Sequence, residues 1–219
     1  MSRVIAWIAR RPPSKWDGIS DIRTLNDLFK FRNFGFPKKF LGIEFIQQSD
    51  RSISLHQAGY IQKVLAKFYK ENFKEKSTSM ATNINLNADS AGELLDEWSA
   101  AQFQSGIGAL VFLMVATRPD IAFALWILSR CTTKPQRLHE SALQRLLRYL
   151  KSSTRRGITY SSGSLIEYTD GDFGGSVVTD GAYSTSGYVF QLIAGRQISW
   201  SSKRQGEIAT STTHAQYIR

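Results

Sequence analysis

Two groups of residues in this 219-residue chain have the types and spacing to do chemistry. The first is acidic. Asp170 and Asp172 stand two apart in Glu167-Tyr168-Thr169-Asp170-Gly171-Asp172, at the expected end of a strand. Clustered carboxylates are the oxygen ligands that hard cations such as Mg2+ prefer, although the same Asp-x-Asp spacing is more often a turn device. The second group is basic. Residues 134–156 hold seven Lys or Arg against one acid, Glu140. Arg137, Arg145, Arg148 and Lys151 fall on one half of a helical wheel, with Arg155 and Arg156 just beyond. Lys203 and Arg204 add a basic pair further on. Residues 157–195, by contrast, hold four acids and no Lys, Arg or His. A basic stretch beside an acidic one suggests a division of labour, phosphate on one side and metal on the other. A charged helix face is also what an ordinary solvated surface looks like.

The whole chain carries a net charge of +10, which favours polyanion partners, nucleic acid first and acidic membrane second. Its 42% hydrophobic and 21% charged residues are ordinary for globular domains. The single cysteine, Cys131, excludes an intrachain disulfide and a cysteine-based zinc site. It follows an apolar run and is expected to be a small buried thiol. No secretory signal opens the chain at Met1, and the longest apolar run, 109–116, is too short to span a bilayer. The expectation is an intracellular protein, cytoplasmic or nuclear, with no membrane partner.

The elements that must position these residues read as a mixed α+β chain. Residues 1–20 form an unassigned leader. Residues 21–34 have an apolar face of Ile22, Leu25, Leu28, Phe29 and Phe31, expected as a helix. A β-hairpin follows, from Phe40–Ile46 through the Ser49-Asp50-Arg51 turn to Ile53 and Leu55. Ala58 to Tyr69 reads as an amphipathic helix, and 70–97 as a surface linker. Two helices with apolar residues most of the way round, 100–116 and 119–130, are expected to be buried. Thr117 is placed to cap the second, and Gly106 and Gly108 to permit close packing. Leu138 to Lys151 gives the clearest helix, with Leu138, Leu143, Leu146, Leu147 and Leu150 on its apolar half. Strands are expected at 165–170, 188–193 and 197–202, the last two joined by a tight turn at Gly195-Arg196. Thr210, Ser211 or Thr212 then caps a final helix.

In order and spacing, these motifs resemble the Pol polyprotein of copia-type retrotransposons. The resemblance covers roughly residues 21–219. It is carried by Phe40-Leu41-Gly42-Ile43-Glu44, by Phe103 to Leu110, by Ala116-Thr117-Arg118-Pro119-Asp120-Ile121-Ala122 and by Leu146 to Lys151. Downstream it continues through Tyr168-Thr169-Asp170, Ser184 to Phe190 and Ile198 to Gln205. It implies the palm end, thumb and connection of a reverse transcriptase over 21–160. Over 161–219 it implies the N-terminal part of an RNase H-like domain, whose further strands would follow. The family's activities would be RNA-directed DNA synthesis and cleavage of the RNA strand of an RNA–DNA hybrid. Both use carboxylates that hold two Mg2+ ions.

Site residues follow from the same resemblance. The family's polymerase Asp-Asp turn corresponds to a place near Ile5-Ala6-Trp7-Ile8, which offers no carboxylate. Asp170 matches the first RNase H metal ligand and Asp172 a second acid common in such sequences. The next catalytic acid, a Glu in Thr-Glu-Ala-Glu-Tyr, corresponds to Gln216 in Thr213-His214-Ala215-Gln216-Tyr217. His214 stands where another carboxylate would be, and Ala182-Tyr183 replaces a basic pair. The expectation is therefore a fragment without polymerase or nuclease activity and without a cofactor of its own. The alternatives are a non-catalytic module binding an RNA–DNA hybrid or DNA through Arg145, Arg148, Lys151, Lys203 and Arg204, and an RNase H completed by another chain. The strand carrying Asp170 is further expected to have an unpaired edge.

Overall fold

The computed structural model describes residues 36–68, 74–81, 86, 92–160, 164–173, 183–192 and 196–217. The leader, the helix expected at 21–34 and the turn residue Gly195 lie outside them. The architecture is mixed α+β, with helices and two antiparallel sheets.

The first sheet has the order β1-β2-β3-β4, from Lys39–Phe40, Ile43–Gln47, Ile53–His56 and Gly157–Tyr160. The expected hairpin is β2–β3, with Phe45 opposite Leu55. Its turn is fixed by Asp50, whose carboxylate accepts from the Ser52 N–H at 2.9 Å, and by Arg51 at φ 67°. A shorter strand, β1, folds back on β2 through Leu41 and Gly42, both left-handed at φ 48° and 80°. That pairing of positive angles is what a two-residue hairpin turn requires. Strand β4 joins the sheet from more than 100 residues away by pairing with β3, Leu55 opposite Ile158.

Four helices build the main core. Helix α1, Ala58–Phe68, buries Ile61 and Val64. The Glu44 carboxylate accepts from the Gly59 N–H at its first turn, 3.0 Å away, which suits the positive end of a helix. Helix α2, Glu97–Ala116, is capped by Asp96, which accepts from the Ser99 N–H at 2.9 Å. A 3-10 turn at Pro119–Ile121 leads into α3, Ala122–Arg130. Helix α4, Arg137–Ser152, begins on a reciprocal cap between Gln136 and His139. His139 is fully buried, and that burial lowers its pKa. Phe103, Ile107, Leu110 and Leu113 of α2 pack with Leu125 and Leu128 of α3 and Leu143, Leu146, Leu147 and Leu150 of α4.

Several expectations need correction. Thr117 does not cap the following element; its hydroxyl donates to the Gln57 side chain at 2.8 Å, and Pro119 starts the turn with no side-chain cap. Gly106 does allow close packing, since an added Cβ would meet Leu143 at 3.1 Å, but Gly108 faces open space. Helices α2 and α3 are not buried all round: among the described residues Val111, Val115 and Phe123 are exposed. Leu138 is also exposed, sitting in the first turn of α4 above the core. The stretch expected as a surface linker is tied down where it is described. Leu86 is buried in the main core, and Leu94 bridges to Gln136. Helix α2 has the length and apolarity of a membrane span, a property the eight-residue run had hidden; one of its faces lines the core.

The second sheet has the order β5-β6-β7, from Leu165–Gly171, Thr185–Leu192 and Arg196–Arg204. It does not stand apart from the rest. Leu192, Ile198 and Trp200 pack on a second cluster made of Ile43, Leu55, Ala116, Ile158 and Tyr160. The Tyr160 hydroxyl donates to the Gln197 carbonyl at 2.9 Å, and burial pushes this phenol up to about 12. The Trp200 indole N–H donates to the Met114 carbonyl at 3.0 Å. Helix α5, Thr212–Tyr217, closes the described chain.

Candidate functional site

Asp170 lies one residue from the end of β5, opposite Gly187 on β6. The next residue, Gly171, is where α5 crosses the strand. A Cβ there would come within 2.6 Å of the Ala215 carbonyl oxygen, so only glycine permits the approach. The buried Gln205 staples the helix to the sheet, its amide donating to Ala215 O at 2.6 Å and to the Ser186 hydroxyl at 2.8 Å. Ser211 caps α5 by accepting from the His214 N–H at 3.0 Å, and the His214 ring accepts in return from the Thr210 N–H at 3.2 Å. The Nδ1 atom of the imidazole thereby serves the cap. Among the three expected capping residues the structure selects Ser211.

This arrangement brings Gln216 onto Asp170. The Gln216 amide nitrogen donates to Asp170 Oδ1 at 3.1 Å and to the Gly171 carbonyl at 3.2 Å. The same Oδ1 also accepts from the Gly171 N–H at 2.9 Å. Asp172 is turned elsewhere, holding the strand end by accepting from the Thr185 N–H while its own N–H donates to Thr185 O at 3.1 Å. Among the described residues no three His, Cys, Asp or Glu side chains group where a cation would sit. The side chains that converge are one carboxylate and one neutral amide, a set poorly matched to a pair of divalent ions.

The basic residues divide between two places. Lys203 and Arg204 end β7, opposite Ser186 and Thr185 and exposed, with the Arg204 guanidinium 4.6 Å from the centre of the Tyr183 ring. Arg145 and Arg148 are on α4, but both reach into residues 74–78. Arg145 donates to the Thr78 hydroxyl at 2.7 Å, and Arg148 to the Lys74 carbonyl at 2.6 Å. Lys151 stays exposed on the last turn.

A further cluster was marked in the sequence only by a break between helices and by the resemblance motif that spans it. Arg118 is 1% exposed and bidentate to Asp120, at 2.9 and 2.8 Å. It also donates to the Ser153 carbonyl at 3.0 Å and hydroxyl at 2.7 Å, closing the C-terminus of α4. The Tyr149 hydroxyl donates to Asp120 at 2.6 Å and accepts from Arg156 at 3.0 Å. Burial alone would raise the Asp120 carboxyl; the hydrogen bond and charge of Arg118, with Tyr149, outweigh it and hold the group below its ordinary value. The two-residue spacing of Arg118 and Asp120 around Pro119 was the available hint. Their partners on α4 lie some 30 residues on, out of reach of any local pattern.

Known proteins bear on these geometries. The chain is 34% identical over 200 residues to the retrovirus-related Pol polyprotein from transposon TNT 1-94 of Nicotiana tabacum, covering 89% of this chain and 15% of that one. It is 32% identical over 215 residues to a transposon Ty5-1 protein of Saccharomyces cerevisiae, covering 96% of this chain and 67% of the relative. The chain belongs to the retrovirus-related Pol polyproteins of transposons. A shorter match, 40% over 119 residues, is to the secreted RxLR effector protein 161 of Plasmopara viticola, covering 53% of this chain and 82% of the effector. No family model and no solved structure matches. This Pol chain thus corresponds to under a sixth of the tobacco polyprotein's length.

Proposed function

We propose that the chain is a catalytically silent piece of a copia-type Pol polyprotein, joining the end of a reverse transcriptase to the front of an RNase H-like domain. The observation that carries this reading is the 3.1 Å contact from the Gln216 amide to Asp170. Two-metal hydrolysis needs several negative ligands around one position, to hold the ions and to offset their charge. Gln216 brings a donor to Asp170 instead of a second charge, and so competes with a cation for the same oxygen. Asp172 supports the reading, since its carboxylate serves the Thr185 backbone. Ile5-Ala6-Trp7-Ile8 carries no acid where the polymerase turn would be. The test is cleavage of an RNA–DNA hybrid by the purified chain with Mg2+ and with Mn2+. No product above background is expected; product that disappears in Asp170→Asn would overturn the proposal, including where a second chain has been added to complete the domain.

A second reading, retained affinity for nucleic acid without catalysis, is favoured by one specific observation. Seven basic residues against one acid occupy 134–156 in a chain of net charge +10.

A further inference from the structure

His139 has none of its surface exposed, and its ring lies 6.5 Å from that of Phe103 on α2. Its Nδ1 accepts from the Gln136 N–H at 3.0 Å. A backbone N–H can only donate, so Nδ1 carries no proton and the neutral ring holds its hydrogen on Nε2. Among the described residues no acceptor meets that Nε2. The imidazole is therefore held in one tautomer. The lone pair that a second proton would take is the one that closes the cap.

This cap sits at a joint where two helices begin. Residues 93–95 run antiparallel to 135–137: the Leu95 N–H donates to the Pro135 carbonyl at 2.9 Å, the Arg137 N–H to the Glu93 carbonyl at 3.0 Å, and Leu94 faces Gln136 between them. The next residue, Asp96, caps α2. A proton on Nδ1 would set two N–H groups against each other and leave a positive charge in apolar surroundings. On the described elements around the ring, the charges are Glu93, Asp96, Glu97, Lys134, Arg137 and Glu140, all exposed or half-exposed. Glu93 is engaged with Arg137 and Asp96 with Ser99. Burial, not these charges, lowers the His139 pKa.

We propose that His139 makes this joint an acid-opened latch: protonation of its Nδ1 releases the Gln136 cap and the antiparallel pairing behind it, loosening the starts of α2 and α4 together. The sign follows from the tautomer and the burial. The closed joint is fully stable above 6.5, the ring's ordinary value, and loses stability as pH falls below it, until the lower folded value is reached. The loss is about tenfold in the closing constant per pH unit.

Hydrogen exchange of the full chain, followed by mass spectrometry at about pH 7.5 and 5.5 and corrected for intrinsic rates, tests this. At the lower pH the amides of Leu95, Gln136 and Arg137 should exchange about tenfold faster relative to those of β2 and β3. His139→Asn keeps an acceptor oxygen where Nδ1 stood and cannot be protonated, so it should abolish the acceleration. No acceleration in wild type, or the same acceleration in the variant, overturns the latch. Far-UV circular dichroism checks folding. Should the variant misfold, nitrogen–proton correlations of the wild-type imidazoles decide, assigned by comparison with His56→Asn and His214→Asn. An Nε2–H ring still mainly neutral at pH 6.5 is expected; an Nδ1–H tautomer, or a ring mainly charged at that pH, overturns the proposal.

Discussion

Gln216 meets Asp170 as a neutral donor, 3.1 Å away, where a glutamate of the same length would bring a second negative charge. Gln216→Glu therefore sets two carboxylates against each other. At about 4 Å in a water-like dielectric their repulsion is about 1 kcal/mol, which a bound Mg2+ would offset. The variant should melt lower than wild type in EDTA and recover on adding Mg2+, while wild type shows no such difference. Equal melting temperatures with and without Mg2+ for the variant would show that position 216 does not face a cation site. The sequence named the two residues together only through the family resemblance; that they touch is a finding of the structure. Gly171 and Gln205 it did not single out. The role of Gly171 depends on a helix arriving more than 40 residues later, and that of Gln205 on bridging this helix to a neighbouring strand, which no local spacing announces.

At the scale of elements, the corner between α2 and α3 is held by charge rather than by capping. Arg118 joins Asp120, Ser153 and, through Asp120, Tyr149, so one guanidinium locks the corner to the end of α4. Replacing it with methionine keeps the apolar stem and strands Asp120 beside Tyr149. Asp120 is itself solvent-exposed, so the loss is that of charge-assisted hydrogen bonds, about 1.5–3 kcal/mol, which urea unfolding of Arg118→Met would measure; a loss under about 1 kcal/mol would mean that the pair is no brace. The pH dependence has a definite sign. Asp120 is held below 3.8, so its contribution is present above that value and lost as pH falls through the lower folded one. The acid-side loss of stability should shrink in the variant. Helix and strand positions were readable here because apolar spacing sets them locally. Which face is covered was not: Leu138, Val111 and Val115 obey the helical period yet sit in solvent, since coverage is decided by neighbours the period does not specify.

For the molecule as a whole, the second sheet is unevenly finished. Among the described residues β5 pairs with β6 alone, and Leu165 and Tyr168 are exposed along it. An apolar strand with an open edge invites another strand. Tyr168→Lys should reduce concentration-dependent light scattering while changing stability by no more than about 0.5 kcal/mol, as exposed substitutions do. Unchanged scattering would place the sticky surface elsewhere. The opposite edge of that sheet tells a different story. Trp200 hangs its indole on Met114, and Tyr160 reaches Gln197, across the place where motif resemblance divides the chain. A cut between β4 and β5 would sever only the peptide backbone. The two pieces would still share a hydrophobic seam and its hydrogen bonds, and would behave as mutually complementing fragments. For a stretch of inherited transposon code, the unit that tolerates rearrangement is consequently larger than the unit its motifs delineate.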